Sequence, residues 1–170
     1  VEEPDMHKPS GDVERLVAAL ESQWQLENVQ ADFTILPQMQ PILRKGGWKV
    51  TCAVHQADAG SDPQIIHLWP GLYEGTIYGM AVDLGSTTIA AHLCDLRTGK
   101  VVTSSGLMNP QIRFGEDLMS RVSYAMMNPG GDQEMTRAVR DGMDALFTQI
   151  SAEAEIDKSL IMDAVFVCNP

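Results

Sequence analysis

Residues 78–95, with the sequence YGMAVDLGSTTIAAHLCD, determine the predicted fold of the chain. Two apolar runs of strand length, 79–82 and 89–93, flank a short polar segment that contains glycine, and this pattern predicts a β-hairpin. Asp83 stands at the end of the first predicted strand. The turn that follows contains one glycine and three hydroxyl residues, namely Gly85, Ser86, Thr87 and Thr88.

This turn has the residue types of a phosphate-binding loop. Because Gly85 lacks a Cβ atom, a ligand can approach its backbone closely. The amides and hydroxyl groups of residues 86–88 are donors that suit phosphate oxygens. The Asp83 carboxylate can hold a divalent metal, directly or through water, and Mg²⁺ accompanies nucleotide phosphates. An ordinary hairpin with a Gly-Ser turn has the same short pattern, so these residues alone leave both interpretations open.

The turn resembles the first phosphate motif of the actin-like ATPase superfamily, which includes sugar kinases, chaperone ATPase domains and actin. A second turn at 98–100 and a third strand at 101–104 give the meander that opens an actin-like subdomain. Three segments together resemble one family, the reductive activators of corrinoid proteins. They are AVDLGSTT (81–88), NPQIRFGEDLMSRV (109–122) and the opening VEEPDMHKPSGD (1–12).

The resemblance implies a function, cofactors and partners. Those activators are iron–sulfur proteins that use ATP to return inactive Co(II) in methyl-transferring corrinoid proteins to Co(I). By this resemblance Asp83 positions the Mg²⁺ of bound ATP, through water, and the turn cradles the phosphates with Gly85, Ser86, Thr87 and Thr88. A [2Fe-2S] cluster is expected in a domain upstream of this chain. The expected partners are a nucleotide and a corrinoid methyl-transfer protein.

The superfamily binds nucleotide between two similar subdomains, and the second phosphate motif is not found in this sequence. The chain is therefore expected to be a fragment that is inactive alone, and whether it is an enzyme stays open. A half domain exposes an apolar flank, which predicts a homo-oligomer. The alternatives are a small-molecule kinase of the same superfamily and a docking fragment without activity.

Further polar residues are weaker candidates for a site. They are Asn109, Gln111, Arg113, Glu116 and Asp117. A polar loop that caps a helix explains Asn109 and Glu116 without a function, whereas a place at the nucleotide or the corrinoid-protein interface is the alternative. Asn169 follows a predicted strand end, where ligands gather in α/β folds, or it begins a turn.

Composition narrows the class of partner. The 170 residues carry a net charge of −11 and a pI of about 4.6, which argues against nucleic acid and anionic membrane as ligands. Without a membrane-length apolar run or a signal-peptide pattern, the chain is predicted to be cytoplasmic.

Cys52, Cys94 and Cys168 lack iron–sulfur or zinc spacing, and each lies in an apolar run. They are predicted to be buried free thiols.

The predicted fold class is α/β, in two domains. Residues 1–75 form a small α/β module, and residues 76–170 form the first part of an actin-like (ribonuclease H-like) ATPase domain with a mixed sheet. Apolar spacing predicts helices and strands in both domains. The helices are 13–24, 36–44, 116–126 and 132–154, and the strands outside the meander are 48–55, 64–69 and 160–167. Helix 116–126 is predicted to bury the stripe of Leu118, Met119, Val122 and Met126.

Overall fold

A computed structural model describes residues 1–168 of the chain. Their contacts divide into two compact units, of which the first is Val1–Gly75 and the second begins at Thr76. The structure shows the following elements in chain order: α1 (Asp12–Trp24), β1 (Gln30–Ala31), α2 (Leu36–Lys45), β2 (Val50–His55), β3 (Gln64–Pro70), β4 (Tyr78–Leu84), β5 (Thr88–Asp95), β6 (Val101–Met108), a 3₁₀ helix (Pro110–Phe114), α3 (Leu118–Met127), α4 (Gly131–Glu153), a second 3₁₀ helix (Lys158–Leu160) and β7 (Ile161–Cys168).

The first unit is a three-stranded mixed sheet packed against two helices. In the order β1-β3-β2, strand β1 runs parallel to β3 and β2 runs antiparallel to it. Alternate residues of β2, namely Val50, Cys52 and Val54, pack against the core. The core consists of apolar side chains from the helices, the sheet and the loops between them, namely Leu16, Leu20, Val29, Ile35, Met39, Leu43, Ile65 and Leu68.

The second unit is a four-stranded mixed sheet in the order β6-β5-β4-β7. Strands β4, β5 and β6 form an antiparallel meander, and β7 returns parallel to β4 after helix α4 has crossed one face. Side chains alternate along β4, so that Met80 and Val82 enter the core beneath α4 while Ala81 and Asp83 are exposed. The alternation therefore places Asp83 on the face of the sheet opposite the core.

Three sequence predictions differ from the structure. Helix α3 exposes the apolar stripe that was predicted to be buried and turns Arg121 inward instead, leaving that residue 7% exposed. Strand β6 continues to Met108 because residues 105–108 keep pairing with β5. Cys168 is exposed and Cys52 and Cys94 are half-buried, so the prediction of buried thiols is wrong for Cys168. That cysteine lies on β7, which pairs only with β4 in the described sheet.

The outer end of β7 carries exposed apolar side chains, at Val165, Phe166 and Val167. Self-association was predicted from an exposed apolar flank that was not located in the sequence, and the homo-oligomer stays a prediction. Among the residues described, no helix is both long and apolar enough to cross a lipid bilayer.

Candidate functional site

The turn between β4 and β5 closes tightly on itself. Opposite Asp83 in the β4–β5 register lies Ala90, and the Gly85 N–H donates to the Thr88 carbonyl at 3.0 Å. A Cβ atom at Gly85 would lie 2.6 Å from that carbonyl oxygen, closer than real Cβ atoms approach. The turn therefore requires glycine for its own closure. From the sequence, Gly85 was expected to allow a ligand to approach the backbone closely, and that role stays a prediction.

All four carbonyl oxygens of the turn accept hydrogen bonds from within the chain. The donor and acceptor pairs are Asn109 Nδ2 to Gly85 O at 2.8 Å, Arg121 Nη2 to Ser86 O at 2.5 Å, Asn109 N to Thr87 O at 2.8 Å, and Gly85 N to Thr88 O at 3.0 Å. Three of these bonds come from residues at least 20 positions later in the sequence. The acceptors of the turn are thus occupied before any ligand arrives.

Several donors of the same turn are free. Within residues 1–168, the backbone N–H groups of Ser86 and Thr87 donate no hydrogen bond. The hydroxyl groups of Ser86, Thr87 and Thr88 have no partner in that range either, and all three residues are exposed. The turn consequently presents several donors and no unoccupied backbone acceptor, which suits an anion.

Asp83 lies beside this turn with its carboxylate in solvent. The residues next to it in register are Ala90 on β5 and Val167 on β7, neither of which carries a charge. No basic side chain in the described chain lies within ion-pair distance of the Asp83 carboxylate. The carboxylate is therefore available to a cation.

Asn109 links the turn to the following 3₁₀ helix and is only 2% exposed. Its Oδ1 accepts from the Gln111 N–H at 2.9 Å, which caps the helix, while its Nδ2 donates to Gly85 O. The capping role predicted for Asn109 is confirmed, but Glu116 caps no helix. Asp117 caps α3 instead, by accepting from the Ser120 N–H at 2.7 Å. That bond, with a further one to the Ser120 side chain, holds the pKa of Asp117 below its usual range.

Arg121 lies in the 109–122 segment but was not predicted from the sequence as a site residue. Its Nε donates to Gly115 O at 2.9 Å, while its Nη2 reaches the turn. Gly115 makes this possible, because a Cβ atom there would lie 2.6 Å from Ser120 Cβ and 2.8 Å from the Arg121 amide nitrogen. A signal was present in the spacing, since Asp117, Arg121 and Tyr124 lie on one face of α3. The apolar residues on the other face of the same helix led to the opposite prediction, in which they face the core.

The remaining candidates do not reach the turn. Gln111 is half-buried and its Nε2 donates to the Met135 carbonyl of α4 at 3.4 Å. Arg113 is exposed and lies over the Phe114 ring, 4.6 Å from its centroid. Asn169 lies outside the described residues. In the part of the chain that the structure describes, no three His, Cys, Asp or Glu side chains gather as a metal-binding group.

Comparison with known proteins places the whole chain in one family. The RACo linker region matches residues 1–75, and the RACo middle region matches residues 78–170. The corrinoid activation enzyme RamQ of Eubacterium limosum is 32% identical over 96 residues, which is 56% of this chain and 16% of that protein. A solved structure titled reductive activator for corrinoid, iron-sulfur protein matches with 31% identity and a TM-score of 0.77.

That structural match covers 99% of this chain and 26% of the other, so the chain spans about a quarter or less of the relatives it matches. The match confirms the predicted α/β fold class, with a mixed sheet ordered as at the start of an actin-like fold. The chain belongs to the RACo family of corrinoid reductive activators and contains the linker and middle regions of that family.

Proposed function

We propose that this chain is part of an ATP-dependent activator that returns inactive Co(II) corrinoid methyl-transfer proteins to Co(I). Within that activator, residues 85–88 of this chain bind the phosphates of a magnesium nucleotide. The family supports the corrinoid partner, because RamQ and the matching solved structure are both named for corrinoid activation. The nucleotide and its place in the chain rest on the geometry of the turn.

The observation that carries the proposal is the one-sided polarity of this turn. Phosphate oxygens only accept hydrogen bonds, so a binding surface needs donors and gains nothing from free acceptors. The backbone acceptors of the turn are all paired internally, and the N–H groups of Ser86 and Thr87 remain unpaired in the described chain. Hydrogen bonds to a charged group each contribute about 1.5–3 kcal/mol. Two or three such bonds would together contribute about 3–9 kcal/mol to the free energy of nucleotide binding.

Asp83 fits the magnesium ion that accompanies such a ligand. Mg²⁺ in nucleotide sites keeps several waters and takes only one or two protein carboxylates, with phosphate oxygens completing its shell. Asp83 supplies one exposed carboxylate that no basic side chain occupies within residues 1–168. The bound ion would neutralise phosphate charge that the acidic chain otherwise repels.

The nucleotide acts on the activator by differential affinity. A ligand shifts a conformational equilibrium only as far as it binds one state better than the other. In this proposal the turn makes its phosphate contacts fully only in the state that is competent for electron transfer. A [2Fe-2S] cluster in the complete activator would supply the one electron that reduces Co(II) to Co(I).

The test uses the full-length activator that carries this chain, with its corrinoid protein as substrate. Formation of Co(I) is followed by visible absorbance under anaerobic conditions, with and without MgATP. We expect Asp83→Asn to lose the stimulation by ATP. Asp163→Asn is the matched control, because Asp163 is also exposed. It lies on β7 opposite Gly79 of β4, at the end of β4 away from the turn. Equal stimulation of the parent and Asp83→Asn would contradict the proposal.

A further inference from the structure

We infer that Asn109 and Arg121 are positioning residues that hold the turn at 85–88 in its phosphate-binding form. The inference rests on the proposed function, since it concerns the same turn. Neither residue has to touch the ligand. Both act by occupying carbonyl oxygens that would otherwise compete for the donors of the turn or repel the phosphate.

Asn109 makes three hydrogen bonds that together fix the turn to the 3₁₀ helix. Its backbone N–H donates to Thr87 O, its side-chain amide donates to Gly85 O, and its side-chain carbonyl accepts from Gln111. The asparagine side chain can do both because its amide carries an NH₂ donor and a carbonyl acceptor. At 2% exposure these bonds are shielded from water, which strengthens them.

The 3₁₀ helix is itself fixed to α4. A Cβ atom at Gly142 of α4 would lie 2.8 Å from Pro110 Cγ, so glycine is needed for this close packing. Gln111 adds a hydrogen bond to the Met135 carbonyl. Asn109 therefore connects the turn to the helix that covers the core of the sheet, and the position of the turn follows the position of α4.

Arg121 brings a charge as well as hydrogen bonds. A guanidinium group stays protonated, and burying a cation costs free energy unless it is compensated. Arg121 is 7% exposed, and no carboxylate in the described chain lies within ion-pair distance of it. Its guanidinium donates to two carbonyl oxygens, those of Gly115 and Ser86. A positive charge that has no ion-pair partner in the described chain, and that donates to the carbonyl side of a donor-rich turn, favours an anion on the other side of that turn.

Asn109 and Arg121 lie at the two ends of the segment 109–121. The residues between them allow both ends to reach the turn. Asn109 begins the 3₁₀ helix, and Gly115 lets the first turn of α3 approach closely enough for Arg121 to reach back. Asp117 starts α3 by capping it. The segment thus wraps around the carbonyl side of the phosphate turn and leaves its donor side open.

The test measures MgATP binding by calorimetry on the full-length activator, with the fold of each variant checked by circular dichroism. We expect Asn109→Ala and Arg121→Gln to bind MgATP about tenfold to a hundredfold more weakly, because each leaves a carbonyl of the turn without its donor. Arg121→Lys keeps the charge and one donor, and should recover part of the loss relative to Arg121→Gln. Asp95→Ala is the control, because it removes side-chain hydrogen bonds to the Arg97 and Thr98 N–H groups in the other turn of β5, away from residues 85–88.

A second readout separates positioning from general stability. In the ligand-free protein, the amide resonances of Ser86 and Thr87 should shift in Asn109→Ala and Arg121→Gln but not in Asp95→Ala. Should Asn109→Ala fail to fold, the pair Arg121→Gln and Arg121→Lys carries the test alone.

The outcomes separate this inference from the proposed function. Binding by the parent, loss in Asp83→Asn and parental affinity in both Asn109→Ala and Arg121→Gln would overturn the inference alone. Equal weakening in Arg121→Gln and Arg121→Lys would overturn the role of the Arg121 charge. Absence of MgATP binding by the parent would overturn the proposed function, and with it the inference.

Discussion

Replacing Gly85 by alanine tests whether the turn must close to bind phosphate. The added Cβ atom would meet the Thr88 carbonyl oxygen at 2.6 Å, and relief to an ordinary contact of 3.4 Å requires a movement of about 0.8 Å. The Gly85 N–H···O bond to the same oxygen is 3.0 Å long. A movement of this size lengthens it to about 3.8 Å, beyond the range of a real hydrogen bond.

The expected cost follows from these distances. Overpacking against backbone atoms costs about 1–3 kcal/mol, because neither partner can rotate away. We expect Gly85→Ala to lower the free energy of unfolding by this amount, measured by urea denaturation. If the same cost falls on the bound form of the turn, calorimetry should show MgATP binding weakened by about fivefold to a hundredfold, since every 1.4 kcal/mol is a factor of ten.

Gly79→Ala is the matched control, because it changes a glycine of β4, the strand that leads into the turn. There the added Cβ atom would lie 2.7 Å from Leu96 Cδ2, which is the end of a flexible, partly exposed side chain that can move away. We expect this variant to keep the parental MgATP affinity. If Gly85→Ala retained both the stability and the affinity of the parent, the claim that turn closure matters would be refuted.

Two further predictions follow from side-chain chemistry. Burial raises the pKa of the Cys52 thiol to about 11, so at pH 8 only about one thiol in a thousand is ionised. Iodoacetamide followed by mass spectrometry should therefore modify the exposed Cys168 well before Cys52, and equal rates in the folded chain would contradict this. The Ser120 N–H bond lowers the pKa of Asp117, so that cap is present above about pH 4 and is lost as the pH falls through the lowered pKa. The Ser120 amide resonance should titrate in acid in the parent and stay constant in Asp117→Asn, where the amide oxygen still caps the helix; the same titration in both would disprove the assignment.

Local sequence was sufficient for the hairpin and the order of elements. Alternating apolar residues in β4 and β5, a glycine at the turn and a long helix before β7 each carry their signal within a few residues. Asp83 and the hydroxyl residues of the turn could be selected for the same reason. The family resemblance then gave the mixed sheet, in which β7 pairs parallel to β4.

The orientation of α3 could not be predicted from its own residues. A periodicity argument assigns the apolar side chains to the core, yet Met119, Val122 and Met126 are exposed. What fixes the helix is a bond from Arg121 to Ser86, 35 residues earlier in the chain. The bond from Asn109 to Gly85 spans 24 residues and is equally invisible to local pattern. Long-range hydrogen bonds to backbone carbonyls leave no periodic trace in a sequence.

The same limit applies to Cys168. An apolar strand in a parallel sheet is expected to be buried, but its burial depends on what covers it. Strand β7 has a single neighbour among the described strands, and its outer residues are exposed. Strand type was therefore predictable from composition, whereas burial was not.

The most direct test of the phosphate-binding turn is calorimetric titration with MgATP of the full-length protein and of this chain, each beside its Asp83→Ala variant. The account predicts that the full-length parent binds and that its variant does not. Binding by the full-length protein with none by this chain would show that the second half of the nucleotide cleft is also needed. The account would be contradicted if the full-length parent did not bind MgATP, or if the Asp83→Ala variant bound it as tightly as its parent.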